Sequence, residues 1–237
     1  MSAQEAIALF NKRGRGRLHI GDIEGALGDF NRVITLDPAC AEAYQYRGLA
    51  HRCRGELELA LDDFDCVLRY AAPSEPLACE AHYHRALTRV SQGDLSGAIE
   101  DLTALIDANP RAEAFLHRGT LRQQQGDLTG AIMDYSAAIR RDPRSDQAYV
   151  RRGNARRDQG ETTGALADYD AAIRLCTADV RVFYYRGLLR ARRHDPDGAL
   201  SDLREYLRWD GGREYGHQAE IEQLIARLEV ERHPVTV

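Results

Sequence analysis

One segment recurs six times along the 237 residues, and its period bounds what the chain can become. Gly14, Gly48, Gly119, Gly153 and Gly187 each follow an arginine, and Ala86 takes the slot in the third copy. Seven residues on stands Gly21, Gly55, Gly93, Gly126, Gly160 or, in the last copy, His194. Five further come Ala26, Ala60, Ala98, Ala131, Ala165 and Ala199, and four after those Phe30, Phe64, Leu102, Tyr135, Tyr169 and Leu203. Pro38, Pro110 and Pro143 close three copies, and successive copies start 34, 38, 33, 34 and 34 residues apart, the long step falling at Pro73-Ser74-Glu75-Pro76. A period of this length means stacked supersecondary units, none of which can bury its apolar face alone.

Each copy reads as two helices about its central glycine. Ile132, Tyr135, Ala138 and Ile139 share one helical face, as do Leu166, Tyr169, Ala172 and Ile173. Small residues at the crossing let the backbones approach. Gly-Asp at the turn (21–22, 93–94, 126–127) supplies a residue tolerant of positive φ, then an acid at the next helix's positive end.

Glycine, then Ala-x3-Phe/Tyr, then proline at about 34 residues resembles the tetratricopeptide repeat. The aromatic opening each unit is kept as Phe10, Tyr44, Tyr83 or His82, Phe115, Tyr149 and Phe183. The resemblance implies an all-α fold, an α-solenoid winding as a right-handed superhelix of six hairpins, with about 13 helices and no sheet. Its expected units are 7–40, 41–74, 79–111, 112–145, 146–179 and 180–213, together 1–213. Beyond the Gly211-Gly212 break, Ile221, Leu224, Ile225 and Leu228 form one apolar stripe. That predicts a capping helix over 214–231 and a frayed tail at 232–237.

Two slots are more uniform than the family asks. Arg13, Arg47, Arg85, Arg118, Arg152 and Arg186 each lie eight residues before the central slot, and Asp29, Asp63, Asp101, Asp134, Asp168 and Asp202 eight after it. Equal distance from a tight turn predicts an ion pair in or between hairpins. Likewise Arg17, Arg89, Arg122, Arg156 and Arg190 stand four before the centre, and Gly25, Gly97, Gly130, Gly164 and Gly198 four after. The copy with Leu59 in place of glycine also has His51 in place of arginine. Either the glycine leaves room for a crossing arginine, or the two slots are merely inherited together.

Other chemistry is thin. No phosphate loop, His-Glu-x-x-His, Cys-x-x-Cys or Gly-x-Ser-x-Gly occurs, and no nucleophile–base set is visible, so neither an enzyme nor a cofactor is expected. Cys40, Cys53, Cys66 and Cys79 are evenly spaced, but zinc ligands come in close pairs, so no metal is expected. His82 and His84 point to different sides of a helix. The five cysteines read as reduced thiols, and with no signal-like or membrane-length apolar run the expected location is cytoplasmic, off the membrane. The run Lys12–Arg17 has nucleic-acid composition, yet Arg13 and Arg17 belong to repeated slots and the net charge is −5, so nucleic acid is not expected.

The resemblance implies a scaffold holding a protein or peptide partner in the concave groove lined by first helices. The groove face reads Lys12, Arg15, His19, Glu42, Gln45, Tyr46, Arg52, Glu80, Tyr83, His84, Glu113, His117, Gln123, Gln124, Arg151, Asn154, Arg157, Asp158, Arg181, Tyr184, Tyr185 and Arg192. Seven basic against four acidic residues leave it net +3, which favours an acidic segment gripped by arginine forks and tyrosines. The family's clamp for chaperone tails is not reproduced: Asn154 has Val150 where that clamp has lysine, and Tyr185 where it has the next asparagine. The alternative is a structural or self-assembling subunit docking through its ends or convex face, which leaves a homo-oligomer open.

Overall fold

The computed structural model describes residues 2–209 and 211–232. These residues are all helix and connection, with no strand among them. Two compact units divide between Leu121 and Arg122.

The first unit pairs α1 (Ala3–His19) with α2 (Ile23–Leu36), α3 (Ala41–Arg54) with α4 (Leu57–Tyr70), and α5 (Pro76–Gln92) with α6 (Leu95–Ala108). It also takes in the start of α7 (Ala112–Gln124). The central glycines end first helices at φ between 80° and 86°, the left-handed region that spares only glycine a Cβ clash. Asp22 and Asp94 then cap α2 and α6, accepting from the amides of Gly25 and Gly97 at 3.0 and 2.9 Å. Phe30, Val33, Phe64 and Val67 are fully buried between the hairpin layers. A Cβ on Gly14 would stand 2.7 Å from the Phe30 ring, so this glycine gives the aromatic its seat. The residues around Pro73–Pro76 make a longer connection, and Pro76 opens α5 at a position where no amide donor is missed.

The second unit contains the end of α7, then α8 (Leu128–Arg141), α9 (Asp146–Gln159), α10 (Thr162–Arg174), α11 (Arg181–Arg192), α12 (Pro196–Arg208), α13 (Gly211–Glu214) and α14 (Gln218–Arg232). Tyr169, Ala165, Ala172, Val150 and Val182 form one core cluster, and Leu200, Leu203, Tyr206, Ile221 and Leu228 another. The described residues thus form fourteen helices against about thirteen expected. The extra one is the short α13, at the Gly-Gly pair read as a break: Gly212 packs where a Cβ would meet Leu207 at 2.6 Å. The last helix starts at Gln218 rather than at 214, and residues 233–237 of the expected tail lie outside the described residues.

Candidate ligand-binding face

Most of the arginines on first helices are engaged within the fold. Arg13 donates to Asp29 from Nε at 2.8 Å and Nη2 at 2.5 Å, and Arg17 donates to the same carboxylate at 2.9 Å. The arrangement recurs as Arg85 and Arg89 on Asp101, Arg152 and Arg156 on Asp168, and Arg186 and Arg190 on Asp202. In the fourth hairpin Arg122 donates to Asp134 at 2.9 Å. Each of these aspartates is buried, so the guanidiniums stand in for the water it has lost. The ion-pair expectation holds, with a second arginine joining the first.

The glycine slot holds as well. A Cβ on Gly97 or Gly164 would lie 3.0 Å from Cδ of Arg89 or Arg156. Where Leu59 fills that slot, His51 replaces the arginine, bonding Glu56 at 2.6 Å and approaching Asp63 only to 3.8 Å.

In the first unit Lys12 and Arg15 are exposed. Arg15 bonds Glu42 at 3.0 Å with its guanidinium 4.8 Å from the centre of the Tyr46 ring, and Tyr46 stacks on Phe30. Gln45 is a correction: read as groove-facing, it is 1% exposed. Its slot faces the hairpin interior, as the buried Asn11 one repeat earlier also does. His84 stacks on Phe64, meets Tyr83 edge-on, and Tyr83 meets His117 at 3.3 Å between Oη and Nε2. Burial, with the charge of Arg52, lowers His84 to a pKa of about 4, so the ring is neutral near pH 7. His82, not Tyr83, takes the unit-opening slot, where its Nδ1 meets Asp101 at 3.0 Å.

In the second unit a cluster of rings gathers about Tyr184 and Tyr185 of α11: Tyr185 stacks on Tyr169 of α10, Tyr184 meets Tyr185 and Tyr206 of α12, and His217 stacks on Tyr184 at 5.4 Å. The Arg157 guanidinium lies 4.0 Å above the Tyr185 ring and bonds Asp158 at 2.8 Å. Asn154 accepts from the Tyr169 hydroxyl at 2.8 Å. Arg181 forks onto Asp179 at 2.8 Å on both oxygens and lies over Tyr215. Burial raises the Tyr184 hydroxyl above its ordinary range and Tyr206 to about 12, so these phenols stay neutral donors. Arg192 is exposed. Sequence reasoning missed Asp179, Tyr215 and His217; the last two lie beyond the repeats, where no register points at the face.

Asp179, outside the sequence-based list, lowers the net charge of +3 to +2, and Arg15, Arg157 and Arg181 are each already paired, with Glu42, Asp158 and Asp179. Arg151 differs. It lines an open cavity of about 450 Å³ with Asp146, Gln147, Val150, Asn154, Thr177, Ala178, Asp179 and Arg181, and its buried Nε has no partner. Among the described residues no group of three His, Cys, Asp or Glu could hold a metal ion, and no helix is long and apolar enough to cross a membrane.

The sequence profile of the tetratricopeptide repeat matches residues 11–76, 83–146, 116–180 and 150–214. A 74-residue stretch is 39% identical to Protein FlbA of Caulobacter vibrioides, covering 31% of this chain and 12% of that protein, so the chain spans about an eighth of this relative's length. Among solved structures, the C-terminal part of a TPR repeat-containing protein from Cytophaga hutchinsonii superposes with a TM-score of 0.79 at 16% identity, over 94% of this chain and 89% of that one. YrrB, a TPR protein with an unusual peptide-binding site, superposes with a TM-score of 0.65 at 20% identity, over 78% of this chain and 98% of its own.

Proposed function

This chain belongs to the tetratricopeptide repeat family, and from that premise we propose that it is a protein-interaction scaffold whose first-helix face holds an acidic segment of a partner. A peptide-binding site in YrrB, which has the same fold, supports the general reading. The observation that carries the specific one is Arg151: a guanidinium in an open cavity, with a buried Nε lacking a partner. A carboxylate entering there gains a charge-assisted bond to the Arg151 guanidinium. Arg181, though pinned by Asp179, lines the same cavity, and Asn154 adds a polar wall. Tyr184 and Tyr185 supply rigid contact area at low entropic cost on the following first helix. Lys12, Arg52 and Arg192 add basic side chains elsewhere on first helices, while Tyr46, Tyr83, His84 and His117 add ring surface to the first unit's share of the face.

Display selection of random twelve-residue peptides against the full chain tests this. Enrichment of Asp and Glu is expected, with affinity falling at least about tenfold for Arg151→Glu and falling with added salt. Peptides without acidic enrichment, or peptides that bind Arg151→Glu as tightly as the parent chain, would show the reading to be wrong.

A further inference from the structure

The first arginine slot has a second task, seen only once the hairpins are stacked. While Nε and Nη2 hold the buried aspartate of their own hairpin, Nη1 reaches back to the second helix of the hairpin before. Arg47 Nη1 donates to Asn31 at 2.7 Å, Arg85 to Asp65 at 2.5 Å and Arg118 to Thr103 at 3.0 Å. Within the second unit Arg152 donates to Ser136 at 3.0 Å and Arg186 to Asp170 at 2.6 Å. The five acceptors occupy one repeat slot, two residues after the clamped aspartate, and comprise four residue types that share only the ability to accept. Each stacking junction therefore uses one guanidinium–acceptor bond beside a strip of close apolar contact.

The strip is equally regular. The residue four before each arginine is Ala43, Ala81, Ala114, Ala148 or Val182, none more than 3% exposed. In the first hairpin that residue is Leu9, which is 47% exposed. Arg13 is 40% exposed against 13–22% for Arg47, Arg85, Arg152 and Arg186, and its Nη1 bonds no acceptor among the described residues. Gly16, three residues further along the strip, leaves room for a close backbone crossing. Phe10 lies between Arg13 and Arg32, whose guanidiniums stand 5.1 and 5.3 Å from its ring centre. The outer face of α1 is thus a stacking junction with one side present.

We propose that this face receives an amphipathic helix of another protein, carrying a carboxylate where the chain's own second helices carry Asn31 or Asp65. Leu9 and Phe10 supply the apolar strip, Arg13 Nη1 the donor, and Arg32 a second positive charge. A second copy fits poorly in either symmetry. A two-fold pairing brings Arg13 and Arg32 towards their own images. A head-to-tail pairing meets the opposite end, where Ile221 and Leu228 of α14 already cover α12. There the acceptor slot holds Arg204, which bonds Glu229 of α14 at 2.5 Å.

The probe is a side-chain-stapled peptide of residues 162–174, the α10 segment that offers Asp170 to Arg186 in the intact chain. It is titrated into the isotope-labelled full chain and followed by NMR. Saturable shifts at the amides of Leu9, Phe10, Arg13 and Gly16 are expected. Binding should weaken at least about tenfold when the peptide carries Asp170→Lys. It should also be lost in Leu9→Glu, which leaves both arginine clamps in place and the urea midpoint unchanged. The proposal is overturned if no binding is seen at millimolar peptide, if the shifts lie elsewhere, or if the Asp170→Lys peptide binds equally well. Sedimentation showing a dimer that Leu9→Glu dissociates would assign the face to a second copy, and would overturn it too.

Discussion

A buried carboxylate between two guanidiniums is balanced differently from one beside a single guanidinium. Hydrogen bonds from Arg13 hold Asp29 below the usual carboxylate range. At Asp101 burial pushes upward, but bonds from His82 and Arg85 and the charges of Arg85 and Arg89 outweigh it and the pKa is lowered. Asp63 has Arg47 and only a histidine in the second place; burial wins there, and its pKa is raised. Asp29 and Asp101 accordingly add stability that is present above the ordinary carboxylate pKa and lost as pH falls through their lower, folded values. Asp63 does the reverse, being better tolerated when protonated. Asp168, with two arginines, should be costly to remove: Asp168→Ala leaves Arg152 and Arg156 without their shared partner and is expected to lower stability by about 3 kcal/mol. Asp62→Ala, at an exposed site, should change it by less than about 0.5 kcal/mol. Equal urea midpoints for the two variants would contradict the clamp. The Arg–Asp pairing was legible because residues equidistant from a tight turn meet at one height. The back-bond to the preceding hairpin was not, since its acceptors Asn31, Asp65, Thr103, Ser136 and Asp170 share a function but no single residue type.

Element boundaries follow from turn chemistry. Asp127 and Asp195 cap α8 and α12 by accepting on Oδ1 from the amides of Gly130 and Gly198 at 2.8 and 2.9 Å, and in those glycines a Cβ would stand 2.1–2.2 Å from Oδ2 of the same carboxylate. The Gly-Asp signal therefore read correctly in its three turns; Gly55 and Gly160 take the same left-handed place before Glu56 and Glu161, which make no side-chain cap, and His194 takes it at φ 57° in the sixth. The stretch 211–217 escaped because it obeys no repeat: α13 and the turn after it bring Tyr215 and His217 onto the first-helix face by tertiary packing. The α14 stripe was legible from its 3.6-residue period, although only Ile221 and Leu228 of its four apolar residues are fully covered. Deleting 218–237 should uncover Leu200, Leu203 and Tyr206 on α12 and make the chain self-associate. Sedimentation velocity decides this: a truncated chain that remains a stable monomer would show that α14 is dispensable.

At the scale of the molecule, stability in a stacked array is set by each hairpin and its neighbours. The two ends are unlike, one face of α1 open and α12 covered by α14. Amide exchange should accordingly be faster in α1 and α2 than in α9 and α10, which have neighbours on both sides; equal protection would argue that α1 is not a free end. The junction bond has a further consequence, for how such a chain can grow. An interior hairpin offers an acceptor on its second helix and a guanidinium on its first, so a tandem duplication of 146–179 sets Asp170 of one copy before Arg152 of the next, and the new joint needs no other change. A copy appended after residue 213 instead sets Arg204 before an arginine. Length can be gained or lost from the middle by simple copying, whereas extension past the last hairpin requires rewriting Arg204 as well as displacing α14.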